Sequence, residues 1–152
     1  MDQLRYFVFN KRKDYESGYR NGIQITAKGI ALMEGESQNG TFISRLLDSG
    51  EEENQWHRAV IQSEDYGDDS IKFYIYCCDR DRVAVDGRIR LWEELIRDTE
   101  VPIEKKRRVM EPYLAHIVQN PSDILLYHAR GRYLWIEVQL FCQAGFLPEI
   151  SH

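Results

Sequence analysis

The sequence predicts a mainly β domain with a helical insertion over about residues 86–119, and three stretches carry that prediction. Near the C-terminal end, Ala129 to Phe141 alternates with period two. Leu134, Ile136, Val138 and Leu140 fall on one face, and Tyr133, Trp135, Glu137, Gln139 and Phe141 on the other. Ile71 to Cys78 alternates in the same way, with Ile71, Phe73, Ile75 and Cys77 opposite Lys72, Tyr74, Tyr76 and Cys78. Between these strands the period changes. Ile89, Trp92 and Ile96, with Leu91 and Leu95 beside them, recur at helical spacing. The 129–141 stretch is the expected strand of a buried sheet, with its aliphatic face inward. Its other face runs from aromatic, beneath a covering element, to polar at solvent.

Taken in order, Leu4 to Phe9 is a first strand candidate, stopped by Lys11-Arg12-Lys13. With Asp14 and Glu16 following, that basic cluster reads as a solvated loop rather than an anion site. Ile23 to Ala27 and Gly29 to Met33 are two short apolar runs. Asn39-Gly40 reads as a turn, because both residues accept positive φ cheaply. Thr41 to Leu47 alternates as a half-buried strand closed by Asp48-Ser49-Gly50, and Trp56 to Gln62 is the next strand. Acidic runs bracket the latter, Glu51-Glu52-Glu53 before it and Glu64 to Asp69 after it. Asp65 to Ser70 lacks the oxygen order and closing Glu of a calcium loop and reads as a solvated turn. Asp79-Arg80-Asp81-Arg82 ends the 71–78 strand as surface ion pairs of small energetic worth.

Asp86 is the expected N-cap of a helix through Arg88 to Arg97. A second helical stretch starts near Pro102 and stacks Ile103, Met110, Leu114 and Ile117 on one face. Pro112 removes the hydrogen bond to the Arg108 carbonyl, so a kink or two short helices is expected there. Lys105-Lys106-Arg107-Arg108 cover more than one helical turn and read as solvated surface. Asn120 to Asp123 breaks the helical region, Ile124 to Tyr127 is a short strand, and Arg130-Gly131-Arg132 turns out of it on the freedom of Gly131. Gly145, Pro148 and Ile150 lead into a last strand. The structural core is expected at Trp56, Phe73, Ile75, Gly131, Leu134, Trp135, Ile136 and Val138, and the helical insertion is the natural cover for Tyr133 and Trp135.

At 152 residues a single domain with a core that needs no staples is expected. The net charge of −5 disfavours nucleic acid and anionic membrane as partners. No segment approaches the ~18 apolar residues of a membrane span, and Met1 to Arg5 does not resemble an export signal. Cys77, Cys78 and Cys142 form no disulfide framework and read as small half-buried hydrophobes, in keeping with a reducing cytoplasm. His57, His116, His128 and His152 sit at no metal-binding spacing. There is no nucleophile elbow and no phosphate-cradling glycine loop, and Glu93 and Glu94 diverge by about 100° on a helix. No catalytic residue, metal ligand, cofactor-binding residue or cofactor is expected. A sugar-binding sandwich would need exposed aromatics, but Trp56, Trp92 and Trp135 each lie in apolar-periodic segments that burial explains better.

Gly40-Thr41-Phe42-Ile43-Ser44-Arg45-Leu46-Leu47-Asp48-Ser49-Gly50, followed by Trp56-His57-Arg58, resembles one signature of a bacteriophage tail protein domain found in phage-tail-like gene clusters. Ser122-Asp123-Ile124-Leu125-Leu126 leading into Gly131-Arg132-Tyr133-Leu134-Trp135-Ile136 resembles the second. The resemblance spans roughly Gly40 to Ile150 and is looser before that. It implies a jelly-roll-like antiparallel β-sandwich and a structural, non-enzymatic part of a contractile tail or injection-system baseplate. It carries over no catalytic residues. It also implies docking to other tail or baseplate proteins or to further copies of the chain, with Ile89 to Val118 as the presenting element. Synthesis in the bacterial cytoplasm without a signal peptide and assembly into a virion or tail-like particle follow from the same resemblance. That family continues past a Pro-x-Ile segment matched by Pro148-Glu149-Ile150, so the chain is expected to be a shortened member or the N-terminal piece of a longer tail protein. The alternative is a carbohydrate-binding sandwich for cell-surface recognition, which alone would bring in a glycan.

Overall fold

The computed structural model describes residues 7–9, 11–26, 29–32, 39–60, 62–63, 71–119, 123–141 and 149–151. A short helix, α1 (Arg12–Glu16), precedes β1 (Tyr19–Asn21), β2 (Ile23–Thr26), β3 (Gly29–Leu32), β4 (Asn39–Ile43), β5 (Leu47–Asp48), β6 (Arg58–Val60), β7 (Gln62–Ser63) and β8 (Ile71–Cys78). Then follow β9 (Arg82–Val85), β10 (Arg88–Leu91), α2 (Trp92–Arg97), α3 (Ile103–Met110) and a single 3-10 turn at Glu111–Tyr113. The chain ends with β11 (Leu114–Gln119), β12 (Asp123–Leu125), β13 (Tyr133–Phe141) and β14 (Glu149–Ser151). The fold is mainly β, and the paired strands are antiparallel.

A six-stranded sheet runs β1-β4-β13-β8-β11, with β5 also paired to β13, and a four-stranded sheet runs β2-β3-β14-β7. Strand β13 is central. Tyr133 to Leu140 faces Cys78 to Ile71 on β8, and Glu137 to Phe141 faces Ile43 to Asn39 on β4. The aliphatic face of β13 packs on two clusters. Val138 and Leu140 join Phe42, Ile71 and Phe73 against Ile23 and Ile30 of the second sheet. Leu134 joins Leu47, Ile75, Cys77, Ile124 and Ala129 beneath the β6–β12 ribbon. The opposite face carries Ile43, Tyr76 and Trp135 against Val83, Val85, Trp92, Leu95, Ile96 and Met110. The large sheet is thus covered on both sides, and each fully buried aliphatic or aromatic side chain contributes about 1.5–3 kcal/mol.

The insertion differs from the helix expected over 86–119. Asp86 and Gly87 take positive φ, 51° and 77°, and close a two-residue hairpin between β9 and β10 with Arg88 opposite Val85. Asp86 is therefore a turn residue and not an N-cap. Leu91 caps α2, and Pro102 caps α3. Proline at 112 cannot donate within the helix, so α3 stops at Met110 in the 3-10 turn, and Leu114 and Ile117 lie on β11 rather than on a helical face. Within the insertion the helices are confined to residues 92–113, with strands on either side.

Other expectations shift for local reasons. Lys11 caps α1, in which Asp14 accepts the Lys11 N–H at 3.0 Å, so the basic cluster opens a helix rather than a loop. Asn39 and Gly40 begin β4, where they pair with Phe141 and Leu140. The 41–47 run is two strands, because the Ser44 hydroxyl accepts the Ile136 N–H at 2.9 Å in place of a ladder partner and the chain bends between β4 and β5. The 56–62 run is likewise divided between β6 and β7. Of the expected first strand, only Phe7 to Phe9 is described, and it is not in a strand. The calcium-like run Asp65 to Ser70, the break at Asn120 to Ser122, Met33, Cys142, Gly145, Pro148 and His152 lie outside the described residues.

Candidate functional site

The residues that carry the sequence resemblance meet at the end of β13 where β5, β6 and the 126–132 loop converge. The Arg132 guanidinium donates two hydrogen bonds to the Asp48 carboxylate, at 2.8 and 3.0 Å, a bidentate geometry that fixes direction as well as distance. The Arg132 carbonyl accepts both the Ser49 N–H and the Ser49 hydroxyl at 2.8 Å. Trp56 donates its indole N–H to the Gly131 carbonyl at 2.8 Å and its main-chain N–H to the Ala129 carbonyl at 2.9 Å. The Gln55 amide reaches the Leu126 carbonyl at 2.7 Å and the Ala129 carbonyl at 3.2 Å. Asp79 accepts the Arg132 N–H at 2.9 Å and the Glu53 N–H at 2.6 Å, so the end of β8 is tied into the same loop cluster.

Gly131 lies at the centre. Its φ is +156°, and a Cβ there would meet main-chain atoms of Cys78 at 2.8–2.9 Å. Strain and overlap therefore coincide, and the neighbour is backbone that cannot swing away. Gly131→Ala is expected to lower stability by roughly 2–3 kcal/mol, read as a shift of the urea midpoint. An unchanged midpoint would show that the β8 end yields.

A second polar group lies beneath the helices. Glu137 is 0% exposed on the β13 face expected to reach solvent. Its carboxylate accepts from Arg107 Nε at 2.7 Å, Gln139 Nε2 at 3.0 Å and the Tyr76 hydroxyl at 3.2 Å, while Arg107 also donates to Thr41 Oγ1 at 3.0 Å. Burial, followed by the Glu137 charge, pushes the Tyr76 hydroxyl well above the usual phenol range, so it stays a donor. Lys106, expected on a solvated surface, is also 0% exposed. Its ammonium donates to the Asp98 carbonyl at 2.7 Å and stands 3.5 Å above the Tyr19 ring. The basic run therefore divides. Lys105 pairs with Asp86 at the hairpin turn, while Lys106 and Arg107 fasten α3 to the sheet.

Burial lowers the Lys106 pKa to about 8 from 10.5, against a raising contribution from Asp98. The unfolded chain keeps that proton at higher pH, so it binds more protons than the native state between those values, and native stability gains as pH rises through the window. The cost of burying the charge is fully present below pH 8. Lys106→Met lacks this dependence, so the stability of the wild type relative to the variant should rise by roughly 2–3 kcal/mol between pH 7 and 10. Denaturation series of both proteins measure it, and parallel pH curves would contradict it.

The expected core residues are placed as follows. Phe73, Ile75, Leu134, Trp135 and Val138 are buried, as is Gly131, while Trp56 and Ile136 are half-buried beside the third cluster. Trp56 is partly open, and the Phe7 ring lies 5.5 Å from its own. Trp92 and Trp135 are 0% exposed. The histidines are not all scattered. His116 and His128 stack with ring centres 5.6 Å apart, and the His128 main-chain N–H donates to His116 Nε2 at 3.1 Å. Among the described residues, Cys77 and Cys78 are free thiols, and burial pushes the Cys77 thiol up to about 12. Among the same residues no three metal-ligating side chains gather, and no helix is long and apolar enough to cross a membrane.

No protein-family profile, curated protein or solved structure matches this chain. In the loop cluster, carboxylate, guanidinium, indole and hydroxyl bond to one another and to main chain. In the buried cluster, the carboxylate has three donors, and one of them, Arg107, binds α3 to the central strand. Both arrangements fix loops and helices in position. Asp79, Lys106, Arg107 and Glu137 escaped the sequence reading. The available signal was a lone acid on the aromatic face of the central strand together with a basic run on the covering element.

Proposed function

We propose that this chain is a structural, non-enzymatic domain of a phage tail or phage-tail-like particle that acts by docking to neighbouring tail or baseplate proteins. The observation that carries the reading is the loop cluster. The residues whose pattern resembles a tail-protein family, Asp48, Ser49, Trp56, Gly131 and Arg132, bond to one another and so have a structural reason to occur together. A rigid, doubly covered sheet suits a part whose task is to present faces in fixed directions. The same reading takes the two facing sheets as a jelly-roll-like sandwich with its helical segment as presenting element, synthesised in the bacterial cytoplasm and built into the particle with several copies or partners. The glycan alternative gains little support, since Trp92 and Trp135 are buried and the Trp56 indole N–H is engaged by Gly131.

Co-expression with the products of neighbouring genes, followed by affinity purification, tests the proposal. A stable complex with sheath, tube or baseplate proteins is expected. Particles that assemble at normal yield in a deletion strain, together with no complex, would sink it.

A further inference from the structure

The β9–β10 hairpin pairs with no further strand among the described residues. In a two-residue hairpin, Val85 and Arg88 exchange the hydrogen bonds next to the turn, and Val83 and Arg90 exchange the following set. The N–H and C=O of Ile89 therefore point away from β9 along the outer edge of β10, and no main-chain partner among the described residues meets them. The Ile89 side chain is 67% exposed and that of Leu91 47%. Beside this edge α2 and α3 wall an open cleft of about 580 Å³ with Val85, Ile89 and Val101 as its apolar lining. Its charges are unequally matched. Arg90 pairs with Glu94 and Asp98, and Lys105 with Asp86, while Arg88 is exposed and has no ion pair among the described residues.

An unpaired strand edge, an exposed aliphatic side chain at Ile89 and one unmatched cation together specify a ligand. The geometry points to strand addition: we propose that the cleft receives an extended segment of a partner protein, paired to the outer edge of β10, with an apolar side chain beside Ile89 and an acidic side chain facing Arg88. This rests on the docking reading above and names the partner's local chemistry. A second copy fits poorly. Two-fold pairing through the same edge about Ile89 would set Arg88 of each copy against Arg90 of the other, like charges directly opposite on one face. The exposed acidic turn Glu51-Glu52-Glu53 is bent, with Glu53 at a φ of 55°, and is no strand.

The test is an NMR titration of the ¹⁵N-labelled chain with an end-blocked peptide of Glu-Val repeats and with its Lys-Val counterpart. The Glu-Val peptide is expected to shift the Ile89 and Leu91 amides and slow exchange of the Ile89 amide. Arg88→Glu, an exposed site that leaves the core intact, should weaken it roughly tenfold and favour the Lys-Val peptide. No response at Ile89 up to millimolar peptide, equal binding of both peptides, or binding indifferent to Arg88→Glu would overturn the inference. A concentration-dependent dimer of the peptide-free chain that shifts the Ile89 amide would overturn the choice of occupant. The wider docking reading is separately exposed. Co-purification with tail proteins that survives Arg88→Glu leaves that reading standing and removes this one, and peptide binding without co-purification does the reverse.

Discussion

Trp135→Ala is expected to lower the stability of the domain by about 4 kcal/mol, the cost of removing a large aromatic from a packed core. Trp135 is 0% exposed and lies between two other rings, stacked on Tyr76 at 5.6 Å and tilted against Trp92 at 4.7 Å. Its indole N–H points at the Met110 sulfur at 3.1 Å. The side chain thus joins a sheet strand to both helices, and the space left behind cannot be closed without moving α2 or α3. Trp135→Phe should cost less than half as much, because the phenyl ring keeps the stacking while losing the contact to Met110. Urea denaturation followed by far-ultraviolet circular dichroism would measure both variants. A Trp135→Ala protein with an unchanged midpoint would mean that the helices are not anchored there.

The second large effect is expected at Arg107. Replacing it by Met leaves the Glu137 carboxylate buried without its cation, and breaking a buried pair from one side costs about 3–5 kcal/mol. The value should fall near the lower end, because the Arg107 side chain is 36% exposed and the Tyr76 and Gln139 donors remain. The double variant Arg107→Met with Glu137→Gln should recover at least half of the loss, since the uncompensated charge is gone while an acceptor for Tyr76 is kept. If the double variant is as unstable as the single one, the loss comes from packing of the arginine stem and not from the stranded carboxylate.

Much of the sheet was legible because its two longest strands alternate without interruption. Ile71 to Cys78 and Tyr133 to Phe141 emerge close to their expected limits, and they pair with each other along their length. The helical cover over Trp135 was legible too, from the spacing of Trp92, Leu95 and Ile96. What failed was boundary and environment. Ile89 and Leu91 suit a helix and a strand equally, and the N-cap reading of Asp86 takes no account of Gly87 beside it, the pair that forms the deciding turn. Asn39-Gly40 carries the same kind of signal and yet sits in β4, because pairing with β13 outweighs local preference there. Burial of Lys106 and Glu137 lay beyond periodicity altogether. A long amphipathic stem and an acid at a strand position both look solvated until the partner from a distant segment is known. The loop cluster was visible as a pattern of residues, but Asp79, which serves both Glu53 and Arg132, had no signal apart from its place at the end of a strand.

The position of β13 also has a consequence for the order in which the chain can acquire its structure. Its partners β4, β5 and β8 are synthesised well before it, and β4 and β8 do not pair with each other, because β13 lies between them. Until Tyr133 to Phe141 has left the ribosome, the large sheet exists at most as two separate halves with facing open edges. Closure of the sheet, burial of Glu137 and seating of Trp135 then depend on the arrival of one nine-residue segment. Folding of this domain is accordingly a late, sequence-distant event with a high contact order, slow relative to helical proteins of the same length. The half-sheets that precede it are the species that need protection from joining one another between nascent chains.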